Sequence, residues 1–186
     1  MVLGLVFIFT LFLSLVALAT FSDVPTDHPH AAAIKYVYDN DIVEGYDDGT
    51  YRPNNHINRV EFLKILLEYR GQTVNRCRFA ADLYTDTDAG AWYMNYVYIA
   101  TCDGVIEGYP DGSMRPADPI NFAEVAKIIT KDSLSSAMHE YGDEWHEKYI
   151  AWLDMWGAIP RADIMPEDLL TRGEMAENVY QMSSFK

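Results

Sequence analysis

The chain is poor in basic residues. Of its 186 residues only 14 are Lys or Arg, against 28 Asp or Glu, and the formal net charge is −14. Such a surface repels phosphate backbones, which argues against nucleic acid as a partner. An anionic ligand of any kind would therefore need a local cationic pocket.

Cysteine is almost absent as well. Cys77 and Cys102 are the only two, and neither forms a CxxC motif or a Cys/His pair at metal-ligand spacing. Two alternatives stay open: one disulfide formed in an oxidising compartment, or a buried free thiol at Cys102 in its apolar helical run. The sequence predicts no metal site and no cofactor.

Signatures of catalysis are also missing. The chain has no HExxH, no GxSxG and no phosphate-binding loop. The acidic groups at 47–48, 86–88 and 111 fall short of a complete calcium loop, so we interpret them as solvated turn carboxylates. We expect no enzyme, although a glycan-acting one stays a remote alternative because 28 acids make chance carboxylate pairs inevitable.

No basic residue precedes Lys35, and residues 1–19 are almost entirely apolar. Ala17-Leu18-Ala19 provides the small residues that a signal peptidase reads, with cleavage before Thr20, but the missing basic residue is atypical. The run is also near the length needed to cross a bilayer. Residues 1–19 are therefore either a signal peptide or a retained apolar helix inserted in a membrane, and in both cases the remainder is exported.

What the chain does contain is an internal repeat. The sequence GYDDGTYRPNNHINRVE at Gly45–Glu61 returns 63 residues later as GYPDGSMRPADPINFAE at Gly108–Glu124. Nine residue identities recur in the same order without a gap, which indicates a repeated folding unit.

Each copy predicts two helices around a turn. In the first copy a helix covers 29–40, with Ala33, Ile34, Val37 and Tyr38 on one face. The spacing of Asn58 and Glu61 is typical of a capping box that starts a second helix, and Gly71 ends it. The second copy repeats this pattern with helices at 92–103 and after Asn121. Arg52 and Arg115 are expected to brace the turns.

A third copy is eroded but recognisable. Residues 145–152 align on the helix that starts at Trp92, and Leu170–Glu174 aligns on Ile120–Glu124, whereas the Gly-rich turn is absent. Thr171 and Glu174 again have capping-box spacing. The predicted units are 21–71, 84–134 and 139–184.

The FxDV-type opening, the GYxDGxxRP turn and the helix start [TN]-R-x-E together resemble the S-layer homology domain. The resemblance implies a mainly α fold in which three tandem helix-loop-helix repeats form a pseudo-threefold, three-pronged module with a central helical bundle. It implies a non-catalytic anchoring module at the bacterial cell wall or S-layer. The expected partner is a secondary cell-wall polysaccharide, often pyruvylated in this family, bound in grooves between repeats. The alternative is a structural ectodomain or envelope assembly subunit anchored by residues 1–19. The identity of the polysaccharide and any self-association stay open.

The candidate ligand-binding residues are Arg59 and Arg172, each directly after a cap. A positive charge at a helix N-terminus interacts unfavourably with the helix dipole, so another interaction must explain why arginine is found there. The explanation is either a carboxylate ligand, held by a bidentate guanidinium beside free backbone amides, or a surface ion pair. Given the resemblance we favour the ligand. The equivalent Phe122 predicts a groove that is degenerate or offers only stacking.

Trp92 and Trp145 occupy the position of the family's tryptophan near the start of the first helix. An indole there either stacks on the apolar face of a pyranose or packs in the core. The first copy has Pro29 at this position and so lacks the ring.

Overall fold

The computed structural model describes residues 20–72, 83–133 and 143–184. Within these residues the chain forms six helices and isolated bridges but no strand, which confirms the mainly α prediction. The helices are α1 (Ala31–Asp39), α2 (Arg59–Arg70), α3 (Met94–Cys102), α4 (Phe122–Ser133), α5 (Glu147–Met155) and α6 (Arg172–Ser183).

Three parts of the sequence predictions lie outside the described residues: the segment 1–19, Cys77 and the start of the third unit. None of the helices in the described part has the length and apolar character that a bilayer span requires. Cys102, at the end of α3, is disulfide-bonded, so the free-thiol alternative is wrong.

The second helix of each unit begins where the sequence predicts. In α2 the Asn58 side chain accepts from the Glu61 amide, and the Glu61 carboxylate accepts from the Asn58 amide. Thr171 and Glu174 form the same reciprocal pair at α6. Asn121 does so at α4, with distances of 2.9 and 3.3 Å. All three predicted capping boxes are confirmed.

The helices pack in a closed circuit. The first helix of each unit lies against the second helix of the unit before it: α3 packs on α2, α5 on α4, and α1 on α6. The last pairing joins the two ends of the described chain. Each unit therefore buries its apolar residues against its neighbours, and the core is continuous through all three.

Three backbone hydrogen bonds close the centre of this circuit. Ile57 donates to the carbonyl of Leu170 at 3.0 Å, Leu170 donates to Ile120 at 2.9 Å, and Ile120 donates back to Ile57 at 3.1 Å. All three side chains are fully buried. Because each residue both donates and accepts once, the ring has no free end, and it holds the starts of α2, α4 and α6 together.

Carboxylates from the opening motifs clamp the turns. Asp23 accepts hydrogen bonds from the amides of Tyr51 and Arg52 at 2.8 and 2.7 Å, and Asp86 does the same for the second turn. Arg52 is thereby held at a φ of 59°, in the left-handed region. The sequence did not indicate this role for the opening Asp.

The predicted bracing by arginine is confirmed. Arg52 Nη2 lies 2.9 Å from Asp48 Oδ2, and Arg115 Nη2 lies 3.0 Å from Asp111 Oδ2. One member of the predicted apolar face of α1 does not pack in the core, however. Tyr38 is exposed, with its ring edge-on to Phe21 at 5.2 Å, because it falls on the rim of the apolar face of α1.

Gly45 allows a test of how tightly the first turn is packed. An added Cβ there, at a φ of +81°, would clash with Phe21 Cε1, whereas at Gly49 the φ is similar (+77°) and no atom lies within 4 Å. We expect Gly49→Ala to lower the free energy of unfolding by about 1–2 kcal/mol through backbone strain alone. Gly45→Ala should cost about 1–3 kcal/mol more because of overpacking. Urea unfolding of both variants measures the difference, and equal losses would contradict this packing.

Candidate functional site

Arg172 opens α6 and is held in place by the first unit. Its Nε donates to the carbonyl of Tyr51 at 2.9 Å, and the Tyr51 hydroxyl donates to the carbonyl of Arg172 at 3.1 Å. The guanidinium carbon lies 4.9 Å from the ring centres of both Tyr46 and Tyr51. Within the described residues no carboxylate pairs with Arg172. The side chain is therefore buried and fixed, while its terminal nitrogens are not taken up by an acidic partner.

This guanidinium lines a cleft of about 200 Å³ to which all three units contribute. Trp92 of the second unit forms another wall and is 59% exposed, so it is no core aromatic. Lys64 lies between them, with its Nζ 5.9 Å from the indole centre. We name this cavity the first cleft; it is lined by Ile42, Val43, Glu44, Gly45, Tyr46, Glu61, Lys64, Ile65, Trp92 and Arg172. The structure thus brings together two of the four candidate residues.

The other two candidates belong to a second group of the same residue types. The first unit contributes four polar residues to the first cleft: Glu44, Tyr46, Glu61 and Lys64. Their equivalents 63 residues later are Glu107, Tyr109, Glu124 and Lys127. With Arg59 and Trp145 they form what we name the second cluster. The Lys127 ammonium lies 5.7 Å from the ring of Trp145, which is 51% exposed. Burial lowers the pKa of Lys127, and the positive charges of Lys131 and Arg59 add to this effect.

Arg59 differs from Arg172 in its partners. Its Nη1 lies 3.5 Å from Glu124 Oε1, and its guanidinium carbon is 5.1 Å from the Tyr109 ring. The Tyr109 hydroxyl also donates to Glu124, and burial together with this bond raises the pKa of Tyr109 to about 12. Arg59 Nε is buried and has no hydrogen-bond partner among the described residues. The ion-pair alternative thus describes Arg59 and not Arg172.

The expectation of free backbone amides beside these arginines is wrong. The amides of Arg59 and Val60 donate to carbonyls at Asp118 and Pro116, at 3.0 and 3.3 Å. At α6 the first two amides likewise donate to residues 55 and 53, at 2.8 and 2.9 Å. Since the third amide is used by the cap, the helix starts have no donor left for a ligand. Only side chains are available for recognition.

Comparison with known proteins identifies this architecture. The model of the S-layer homology domain matches residues 20–63 and 83–126. The chain belongs to the S-layer homology family. It is 32% identical over 130 residues to the cellulosome-anchoring protein of Acetivibrio thermocellus, which covers 67% of this chain and 29% of that protein.

Two further relatives share S-layer homology sequence with this chain. The middle cell wall protein of Brevibacillus brevis is 29% identical over 92 residues, covering 48% of this chain and 9% of that protein. The amylopullulanase of Thermoanaerobacterium thermosulfurigenes is 33% identical over 178 residues, covering 87% and 9%. The chain spans less than a third of the length of each relative.

The third interface of this S-layer homology chain is the one formed by the equivalent positions Phe122, Glu177 and Pro29. These positions lack the cationic groups of the first cleft. Phe122 replaces the arginine and is only 1% exposed, so it offers no stacking surface and that alternative is wrong. Glu177 stands where Lys64 stands in the first unit, and its carboxylate lies 3.3 Å from His30 Nδ1. Pro29 takes the place of the exposed tryptophan. The third interface is therefore unlike the first cleft in charge and in shape.

The missing turn of the third unit is replaced by an ion-pair network. Arg161 Nε lies 2.7 Å from Glu174 Oε1, and its terminal nitrogens contact Asp163 and Asp168. The hydrogen bond to Glu174 is the main cause of a raised pKa for Arg161. Arg161 thus forms an ion pair with Glu174 beside the helix start, which leaves this carboxylate unavailable to a ligand.

The Asp48 carboxyl, in the turn beside the first cleft, should titrate at unusually low pH. The hydroxyl of Thr50, followed by Arg52, holds the pKa of Asp48 at about 2 instead of 3.8. A depressed pKa means that the carboxylate stabilises the fold above its ordinary pKa, and that this contribution is lost as pH falls through about 2. We expect carbon-13 NMR to show Asp48 titrating near 2.

Asp111 provides the internal control. Ser113 and Arg115 hold its pKa at about 2 as well. In the variant Arg52→Ala the pKa of Asp48 should rise while that of Asp111 stays unchanged. Equal behaviour of both carboxyls in this variant would show that the guanidinium does not act locally.

Proposed function

We propose that this chain is a non-catalytic module that anchors to the cell surface by binding an acidic secondary cell-wall polysaccharide. The single observation that carries the proposal is the first cleft, whose lining includes both a buried arginine without an acidic partner in the described residues and an exposed tryptophan. The anchoring role is supported by relatives that are named as anchoring and cell wall proteins. The chain is an exported protein of the cell surface.

Arg172 supplies the recognition of negative charge. A guanidinium presents a planar fork of donors that matches a carboxylate in two parallel hydrogen bonds. Because Nε is fixed on Tyr51, little side-chain freedom remains to be lost when a ligand binds. Lys64 adds a second positive charge to the lining of the cleft. A sugar bearing a carboxylate, such as a pyruvate ketal, fits this pair.

Trp92 and the two acids of the first cleft supply the remaining chemistry of sugar recognition. An exposed indole offers an apolar face to the ring carbons of a pyranose. Glu44 and Glu61 are acceptors for sugar hydroxyls. Since the carboxylate of Glu61 also accepts from the Asn58 amide, it is committed to holding the helix start, which suits binding better than catalysis.

The second cluster contains the same residue types as the first cleft, but its arginine already has an acidic partner. Glu124 neutralises Arg59, so a ligand carboxylate would have to displace an existing ion pair. We therefore assign the principal binding site to the first cleft and a weaker one to the second cluster.

We also assign residues 139–184 as a third S-layer homology repeat. The family model matches only the first two units. Support for the third comes from its capping box and from Leu170, which takes part in the central ring as the equivalent of Ile57 and Ile120. In this assignment the third repeat completes the first cleft by contributing Arg172.

The two arginines allow a direct test of binding. We expect Arg172→Ala to weaken binding to purified cell walls roughly 10- to 100-fold, the value of a charge-assisted hydrogen-bond pair. Arg59→Ala should weaken it by no more than about threefold, since its charge is already compensated. A sedimentation assay on walls of the producing organism measures this, with walls stripped of polysaccharide as the background.

Three variants make the arginine assay decisive. Arg172→Lys keeps the charge and loses the fork, so it should bind at an intermediate level and also shows whether loss of folding explains the alanine variant. Lys35→Ala removes an exposed charge that does not line the cleft and should bind normally. Unchanged retention of the double variant Arg59→Ala/Arg172→Ala would overturn the site.

Releasing Arg59 should convert the second cluster into a stronger site. Glu124→Gln removes the charge that pairs with Arg59 while keeping a residue type that fits a capping box. In the background of Arg172→Ala we expect this change to restore part of the lost wall binding. If Glu124→Gln instead weakens binding further, Glu124 acts as a ligand contact and not as a competitor.

A further inference from the structure

A row of aromatic side chains runs along α5, from the residue before its N-cap to its C-cap. The row consists of Trp145, Tyr149, Trp152 and Trp156, at intervals of four, three and four residues, a spacing typical of one helix face. The rings of Trp145 and Tyr149 are 6.3 Å apart, and those of Trp152 and Trp156 are 5.7 Å apart. We name these four residues the α5 aromatic stripe.

The α5 aromatic stripe is only partly used by the core. Leu153 is the one fully buried residue of α5, while the middle of the stripe, Tyr149 and Trp152, packs against the core at its edge. The two ends reach solvent: Trp145 is 51% exposed and Trp156 is 40% exposed. Core packing thus accounts for the middle of the stripe and not for its ends.

The equivalent helix of the second unit shows that the stripe is not required by the fold. At the four corresponding positions α3 has Trp92, Tyr96, Ile99 and Asp103. Helix α3 packs against α2 as α5 packs against α4, yet its row of rings ends after two residues. The two additional indoles, Trp152 and Trp156, are therefore a property of α5 itself.

The stripe begins inside the second cluster. Trp145 belongs to both, and its ring faces the Lys127 ammonium. From there the stripe follows α5 to its C-cap residue, Trp156. The Lys148 ammonium lies beside the rings, with its Nζ 5.4 Å from the ring centre of Tyr149. Separate rings edged by charges suit a chain of sugar rings, whose apolar faces stack while their hydroxyls bind the flanking charges.

We infer that the α5 aromatic stripe is an extended binding surface for the neutral sugar rings that neighbour the acidic sugar held in the second cluster. The inference rests on the proposed function, because the same polymer occupies both places. It adds a dependence on ligand length: a polymer contacts Trp156, whereas a short acidic fragment reaches only Trp145.

The test compares two adjacent exposed residues. Trp156→Ala removes the end of the stripe, and Met155→Ala removes a 71% exposed apolar side chain that points off it. Calorimetry is carried out with the intact wall polysaccharide of the producing organism and with its single repeating unit. In the background of Arg172→Ala, which leaves the second cluster as the binding site, we expect Trp156→Ala to bind the polymer about three- to tenfold more weakly, as for the loss of one stacked ring, and to leave binding of the repeating unit unchanged.

Controls separate the possible failures. Met155→Ala should match the unaltered protein on both probes, and Trp156→Phe, which keeps a ring, should retain most of the polymer affinity. If the Arg172→Ala protein binds the polymer and the added change Trp156→Ala leaves that binding unaltered, the stripe is no sugar surface while the proposed function stands. If the unaltered protein binds neither probe, both ideas fall. If sedimentation shows a dimer that Trp156→Ala dissociates, the stripe is a contact between copies and the inference is wrong.

Discussion

The ring of three backbone hydrogen bonds among Ile57, Ile120 and Leu170 is the constraint on which the rest of the structure depends. In a linear repeat array each unit contacts only the units before and after it. Here the last unit closes on the first, through the ring and through the packing of α1 on α6. This closure brings Arg172 next to Tyr46, more than a hundred residues away in the chain. The first cleft therefore exists only in the assembled circuit.

The same ring decides what kind of chemistry the clefts can offer. Next to it, carbonyls of each unit accept from the first amides of the second helix in the unit before it, so the helix starts are satisfied by backbone. A helix N-terminus is usually a ready anion site because its amides are free. In this chain that role is closed, and negative charge can be met only by guanidinium and ammonium groups. The recognition chemistry thus rests on a few long side chains whose orientation is fixed by aromatic rings.

Local features were predictable from the sequence, and long-range ones were not. The caps at Asn58 and Thr171 follow from residues three positions apart, so spacing alone locates the helix starts. The turn clamp by Asp23 joins residues 28 and 29 positions apart, and no local pattern announces it. Likewise, the sequence identified Arg172 and Trp92 as separate candidates, but not that they share a cleft. Whether these two residues share a cleft depends on how the three units pack around the circuit.

Under the proposed function, the acidic surface makes these clefts selective. With a net charge of −14, most of the molecule repels an acidic polymer, and the attraction is confined to places where Arg and Lys are grouped. The first cleft groups Arg172 with Lys64, whereas at the third interface Phe122 and Glu177 occupy the equivalent positions. A polymer of the proposed kind is therefore excluded from one interface by charge and by the buried ring. The remaining two sites differ in how their arginine is held: Arg59 pairs with Glu124 at 3.5 Å, whereas Arg172 Nε donates to the Tyr51 carbonyl and no carboxylate among the described residues pairs with it.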